Sequence, residues 1–223
     1  MAETPTQPVT RTDPAQGATQ PPPGKAQRII SISLWVVLVL VMLGVIAGRL
    51  VPSHPEIPVL FPAATFALID QNGKPFGAEQ LRGKPYICDF IFTTCGGICP
   101  MMSHKMAELQ KQTPAGVQLV SLTVNPETDT PPVLKKYAGE YGADESRWHF
   151  LTGTPKQMVD AVSGMKLPYE AATPSMSIGH SDKFLLIDGD GNVRGIADSN
   201  DPDAMKRLIS DAAWLAGTRK GRG

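Results

Sequence analysis

Cys95 and Cys99 stand in "FIFTTCGGICPMMSHKM", directly after an apolar run and directly before Pro100. Thiolates close disulfides, attack other disulfides and bind soft metal ions, so the pair admits three kinds of chemistry. If a helix begins across Cys95 to Cys99, four residues turn the chain by roughly 400° and place both sulfurs on one face, where they can converge on one atom. A helix N-terminus adds free N–H groups and the positive end of the macrodipole, both of which favour thiolate over thiol. Gly96 and Gly97 make the intervening loop pliable, and Pro100 removes a backbone donor that would otherwise be orphaned. A structural staple is the weakest reading. Three cysteines in 223 residues is far below the density of disulfide-built scaffolds, and a bridge over so short a loop removes little chain entropy. Cys88, inside the apolar run between Ile87 and Asp89, reads as a small buried apolar residue.

Two thiolates suffice for Cu(I), whereas a site that also accepts Cu(II) wants imidazole nitrogen, so each histidine has to be weighed. His54 lies in a linker. His104, five residues past Cys99, sits roughly 140° further around a helix and points off the cysteine face. His149, beside Trp148 in a short connection, suits a structural or solvated role. His180, in "SIGHSDKF", occupies a Gly- and Ser-containing loop just before an expected strand, the kind of edge where α/β folds gather site residues. Position makes it the best-placed third donor without deciding the matter. Two competing metal readings are weaker. "DGDGNV" starts like a calcium loop, but Val193 stands where the loop needs Gly and Ser199 where it needs a bidentate Glu, so it reads as a hairpin turn. Met101, Met102 and Met106 are soft donors, yet Met102 and Met106 share a helix face and are more simply core packing.

The elements that must position these groups follow from periodicity. "KPYICDFIFTT" is apolar nearly throughout, as a central strand buried on both faces should be. "MMSHKMAELQKQ" continues a helix from Pro100 until Pro114 stops it, and "GVQLVSLTV" is the next strand. Thr130 with Pro131 and Pro132 starts another helix, and Thr154 with Pro155 and Gln157 forms a capping-box pattern. "TFALIDQNGKPFG" and "KFLLIDGDGNVRGIAD" read as hairpins, "HFLTG" as a short strand, and "DPDAMKRLISDAAWLA" as a last amphipathic helix. Strands alternate with helices, with a βαβ unit and a terminal hairpin, so the expected class is an α/β sandwich.

Lys plus Arg and Asp plus Glu each count 21, which leaves no net charge to attract nucleic acid. With 42% hydrophobic residues the chain can bury one ordinary core plus appendages. Residues 1–28, rich in Pro, Thr and Gln and holding "PPPG", are expected to be a disordered tail. "IISISLWVVLVLVMLGVIA", from Ile29 to Ala47, carries no charge and as a helix is roughly 28 Å long, about the thickness of a bilayer core, so residues 29–48 read as a transmembrane helix. Lys25 and Arg28 before the span, against Arg49 after it, put the N-terminus in the cytoplasm. Glu3 and Asp13 do not suit a mitochondrial presequence, which favours a bacterial inner membrane and a periplasmic domain. Residues 49–61 then form a Pro-rich linker, 62–217 the folded domain and 218–223 a short tail.

From Pro62 to Ala216 the sequence resembles the Sco (SenC/PrrC) family of membrane-anchored, thioredoxin-like copper proteins. "FIFTTCGGICPMMS" matches its CxxxCP motif, "SLTVNPETDTPPVLKKYAGEYGA" its acidic segment, and "WHFLTG" and "HSDKFLLIDGDGNVRG" its histidine loop and hairpin. The resemblance implies a thioredoxin-like fold, with a central mixed sheet flanked by helices and extra β-hairpins. It implies one copper per domain, as Cu(I) or Cu(II), on Cys95, Cys99 and His180, with Cys95 and Cys99 also forming a redox-active pair. It implies, further, a metallochaperone role in assembling the dinuclear copper site of cytochrome c oxidase subunit II, with a periplasmic thioredoxin-like reductant as second partner and Asp129 as a docking residue. The alternative is a periplasmic thiol-disulfide oxidoreductase that reduces the cysteines of a copper-site protein. Departures fall at Gly96 and Gly97, where many members carry Pro and an acidic residue, at Asn125 in place of the first aspartate of the acidic segment, and at Gly179 before the histidine.

Overall fold

The computed structural model describes residues 24–50, 56–166 and 182–218. The chain divides into two compact units, Met1–Ser53 and His54–Gly223. In the first, α1 runs Lys25–Leu50. It starts ahead of Ile29, inside the segment whose composition suggests a disordered tail, because Lys25, Ala26, Gln27 and Arg28 are good helix formers that follow the last of the prolines. Its described side chains, residues 29, 30 and 32–46, are exposed. Among the described residues no helix is long and apolar enough to cross a membrane.

The second unit contains β1 (Phe61–Pro62), β2 (Ala67–Asp70), β3 (Pro75–Gly77), α2 (Ala78–Leu81), β4 (Tyr86–Ile91), α3 (Ile98–Gln112), β5 (Gln118–Thr123), α4 (Pro131–Glu140), β6 (Trp148–Thr152), α5 (Pro155–Gly164), β7 (Lys183–Ile187), β8 (Asn192–Asp198) and α6 (Pro202–Thr218). The expected elements all form. β1 and α2 are additions, too short to leave a periodic signal. One mixed sheet takes the order β1-β8-β7-β4-β5-β6-β2-β3. β4, β5 and β6 run parallel, whereas β7 meets β4 antiparallel and β2 meets β6 antiparallel. Both edges are short, and each carries a proline, Pro62 in β1 and Pro75 in β3.

Burial on both faces explains why β4 and β5 have no polar alternation: all six positions of each are buried. On one face Ile87, Ile91, Leu119, Trp148, Phe150 and Phe184 pack with Met102, Met106 and Leu109 of α3, Leu134 of α4 and Leu208 of α6. On the other, Tyr86, Cys88, Phe90, Val120 and Leu185 pack with Leu81 of α2 and Met158, Ala161 and Val162 of α5. The approach of α5 is close. A Cβ at Gly164 would lie 2.4 Å from the Cβ of Ala64. Thr154 and Gln157 complete the capping box, with Thr154 N–H donating to Gln157 Oε1 at 2.9 Å and Gln157 N–H to Thr154 Oγ1 at 3.3 Å. "DGDGN" is a hairpin turn, with Asp188 Oδ1 accepting from the amides of Asp190 and Asn192.

For function the decisive feature is the β4–α3–β5 unit. Parallel strands need a crossover, and the crossover brings the start of α3 to the C-terminal end of β4; α4 begins in the same way beyond β5.

Candidate metal centre

β4 ends at Ile91, and a turn follows in which Cys95 N–H donates to the Phe92 carbonyl at 3.2 Å. α3 then begins at Ile98, with Gly97 as N-cap. Only Cys99 is therefore helical. Cys95 reaches it from the turn folding back over the helix start, and not from one helix face as the spacing alone suggests. Gly97 has no side chain to cap α3, so the first amides of the helix need another acceptor. The Cys95 sulfur is the group whose ionisation the amides of Gly97, Ile98 and Cys99 favour.

The two thiols are electrostatically unequal. Burial opposes ionisation of Cys95, but the amides of Cys99 and Gly97, the Cys99 thiol and the Ile98 amide outweigh it and hold Cys95 below the usual thiol range. Cys99 is pushed up to about 12 by burial, with the neighbouring Cys95 sulfur and the Asp89 charge adding to it against the Phe92 amide. Exposure runs the same way: 9% for Cys95, 3% for Cys99 and zero for Cys88. Neither member of the pair is in a disulfide. The arrangement provides one activated, slightly accessible sulfur and one protonated sulfur buried more deeply. Cys88 lies on the opposite sheet face, among Tyr86, Phe90 and Val120, where burial raises its thiol well above the usual range. It is inert packing.

Two buried carboxylates flank the pair. Asp129, fully buried, accepts from Thr93 N–H at 3.2 Å, from Thr93 Oγ1 at 2.5 Å and from the Thr123 hydroxyl. It cannot present itself to a partner, which corrects the docking role implied for it: the polar segment "NPETDT" looks solvated, but its turn, closed by Asp129 N–H on the Asn125 carbonyl at 2.9 Å, carries the aspartate inward. Asp89 projects from β4 opposite Ser121 of β5. Neither of its oxygens has a hydrogen-bond partner among the described residues. Burial lifts its carboxyl to about 7, only partly restrained by the Ser121 hydroxyl, which itself accepts from Trp148 Nε1 at 3.0 Å.

Among the described residues no three His, Cys, Asp or Glu side chains converge as a metal site. The two sulfurs come together; His180 and His54 lie outside the described residues. His104 is exposed and meets Tyr141 edge-on at 5.0 Å, away from the pair as its position predicts. His149 is part of β6 and not of a connection, its ring tilted against Phe76 at 4.2 Å and paired through Nε2 with Gln118 at 3.3 Å. Met102 and Met106 are wholly buried in the core, as read, while Met101 is half-buried. Sequence reasoning passed over Thr93 and Asp89. An acid inside an otherwise apolar strand was the available signal for Asp89; nothing local marks Thr93.

Residues 61–216 match the family model described as SCO1/SenC. The SCO1 protein homolog of Bacillus subtilis (strain 168) is 34% identical over 141 residues, 61% of this chain and 73% of that protein. Among solved structures, BsSco, described as having a disulfide switch and as a member of the Sco family of cytochrome c oxidase assembly proteins, superposes with a TM-score of 0.63 at 30% identity, covering 73% of this chain and 98% of its own. Yeast Sco1 with copper bound superposes with a TM-score of 0.56 at 26% identity, covering 69% and 88%.

Proposed function

The chain belongs to the SCO1/SenC family, and from that premise we propose that it binds copper through Cys95, Cys99 and His180 and serves the assembly of a copper enzyme. The observation that carries this reading is the sulfur pair brought together at the start of α3: two soft donors, one of them held below the usual thiol range. Thiolate and imidazole suit copper in both oxidation states, and the affinity order of divalent ions favours it over zinc. Copper bound to yeast Sco1 and the oxidase-assembly role of the family of BsSco support the same cargo and target class. The finer target is the dinuclear copper site of cytochrome c oxidase subunit II. In the sequence alone, the uncharged run Ile29–Ala47 and its flanking charges favour a single membrane anchor with the N-terminus in the cytoplasm and the folded unit in the periplasm. An oxidising periplasm requires the dithiol to be regenerated, which makes a thioredoxin-like reductant a second partner.

Titration of the reduced chain with Cu(I) and Cu(II) tests the reading. One copper per chain is expected, lost in Cys95→Ser, with Cu(II) affinity falling sharply in His180→Ala. Stoichiometric copper binding by the Cys95→Ser, Cys99→Ser double variant overturns it. The same asymmetry supports a second reading, a thiol-disulfide oxidoreductase, because an activated outer thiol above a protonated inner one is also what disulfide exchange uses. His180→Ala separates the two: a pure reductase keeps its exchange rate.

A further inference from the structure

A carboxylate buried without a cation is costly unless hydrogen bonds replace its water, and Asp129 is wholly buried with three described donors, all neutral. Those donors come from two separate segments. Thr93, which supplies its amide and its hydroxyl, stands two residues before Cys95; Thr123 ends β5. Asp129 itself stands just before Thr130, the N-cap of α4. Directly alongside, Val124 N–H donates to the Ile91 carbonyl at 2.8 Å, and Asn125 N–H to Thr123 Oγ1 at 3.0 Å. One side chain therefore ties the cysteine turn to the end of β5 and the start of α4. An apolar residue would fill the same space without the desolvation cost, so the fold retains a carboxylate for what it holds.

We propose that Asp129 is a positioning residue, a latch that fixes, through Thr93, the turn from which Cys95 reaches Cys99. It is neither a ligand nor a docking residue. The latch favours the dithiol over the disulfide: its hydrogen bonds are made with both cysteines free, and drawing the Cys95 sulfur to bonding distance of the Cys99 sulfur pulls on the turn they hold. The proposal rests on the reading that Cys95 and Cys99 are the working pair, and it deepens that reading.

The test uses the full, copper-free chain equilibrated with glutathione: the dithiol reacts with oxidised glutathione to give the Cys95–Cys99 disulfide and two reduced glutathiones, and trapped thiols report the ratio. Thr93→Val removes the hydroxyl arm and leaves Asp129 in place; Asp129→Asn removes an acceptor oxygen. Each is expected to move the equilibrium toward disulfide by up to about fivefold, the net worth of one hydrogen bond made in the dithiol and strained in the disulfide. Thr113→Val, which removes comparable buried bonds from Arg147 and to the Leu109 carbonyl at the far end of α3, lowers the melting temperature but leaves the equilibrium within twofold. An unmoved equilibrium in Thr93→Val, a shift toward dithiol, or an equal shift in Thr113→Val overturns the latch. If Asp129→Asn does not fold, Thr93→Val decides alone. Because no copper is present, failure here leaves the copper reading standing, and failure of copper binding leaves the latch standing.

Discussion

Replacing Asp89 by asparagine should change how stability depends on pH, with a sign and size set by burial. In the unfolded chain this carboxyl titrates at its ordinary 3.8; in the fold, burial raises it to about 7 against the weaker restraint of the Ser121 hydroxyl. Below the unfolded value both states are protonated, and Asp89 contributes no pH dependence. As pH rises from about 4 to 7 the unfolded state ionises while the folded state still holds its proton, so stability falls; above 7 both are ionised and the loss is complete. At about 1.4 kcal/mol per unit the loss totals about 4 kcal/mol. Asparagine resembles the protonated acid in shape and does not titrate. Urea unfolding, followed by the fluorescence of buried Trp148, should therefore find Asp89→Asn close to the parent at pH 4 and more stable by several kcal/mol at pH 8, with the gap opening between. Parallel stability curves across pH 4–8 would refute the reasoning, and a gap that opened toward acid would reverse its sign.

Limited alkylation of the reduced chain at pH 7, read by peptide mass, should label Cys95 first. Cys95 is held below the usual thiol range and Cys99 is pushed up to about 12, so the outer thiol carries the larger thiolate fraction and a preference of at least about tenfold is expected; equal labelling contradicts it. Gly164→Ala should destabilise by about 1–3 kcal/mol in a thermal melt, because the new methyl meets Ala64 at 2.4 Å. Gly96→Ala should be neutral or stabilising by up to about 1 kcal/mol with Cys95 reactivity kept, since a Cβ there meets nothing and its φ is not positive.

The sequence made the scaffold legible wherever a pattern was long. The apolar run of β4, the Pro-flanked helices and the Thr154–Gln157 box each declare themselves within a dozen residues, and each forms. Two features were invisible for a physical reason. The start of α3 depends on a turn closed by Cys95 N–H on Phe92, so spacing alone placed Cys95 one turn too far into the helix. The role of Asp129 depends on Thr93, 36 residues away, and a polar segment gives no local sign that its aspartate turns inward. Cys95 and Cys99 themselves were plain from residue type and spacing; the difference between their acidities belongs to tertiary structure.

The prolines at the two margins of the sheet have a consequence for how other proteins approach. An edge of two or three residues with a missing N–H offers no backbone rail on which a foreign strand could be laid. Strand addition, and the aggregation that begins with it, is closed off on both flanks. A visitor has to read side chains and loops, and the loop that follows β4 is where the reactive sulfur waits.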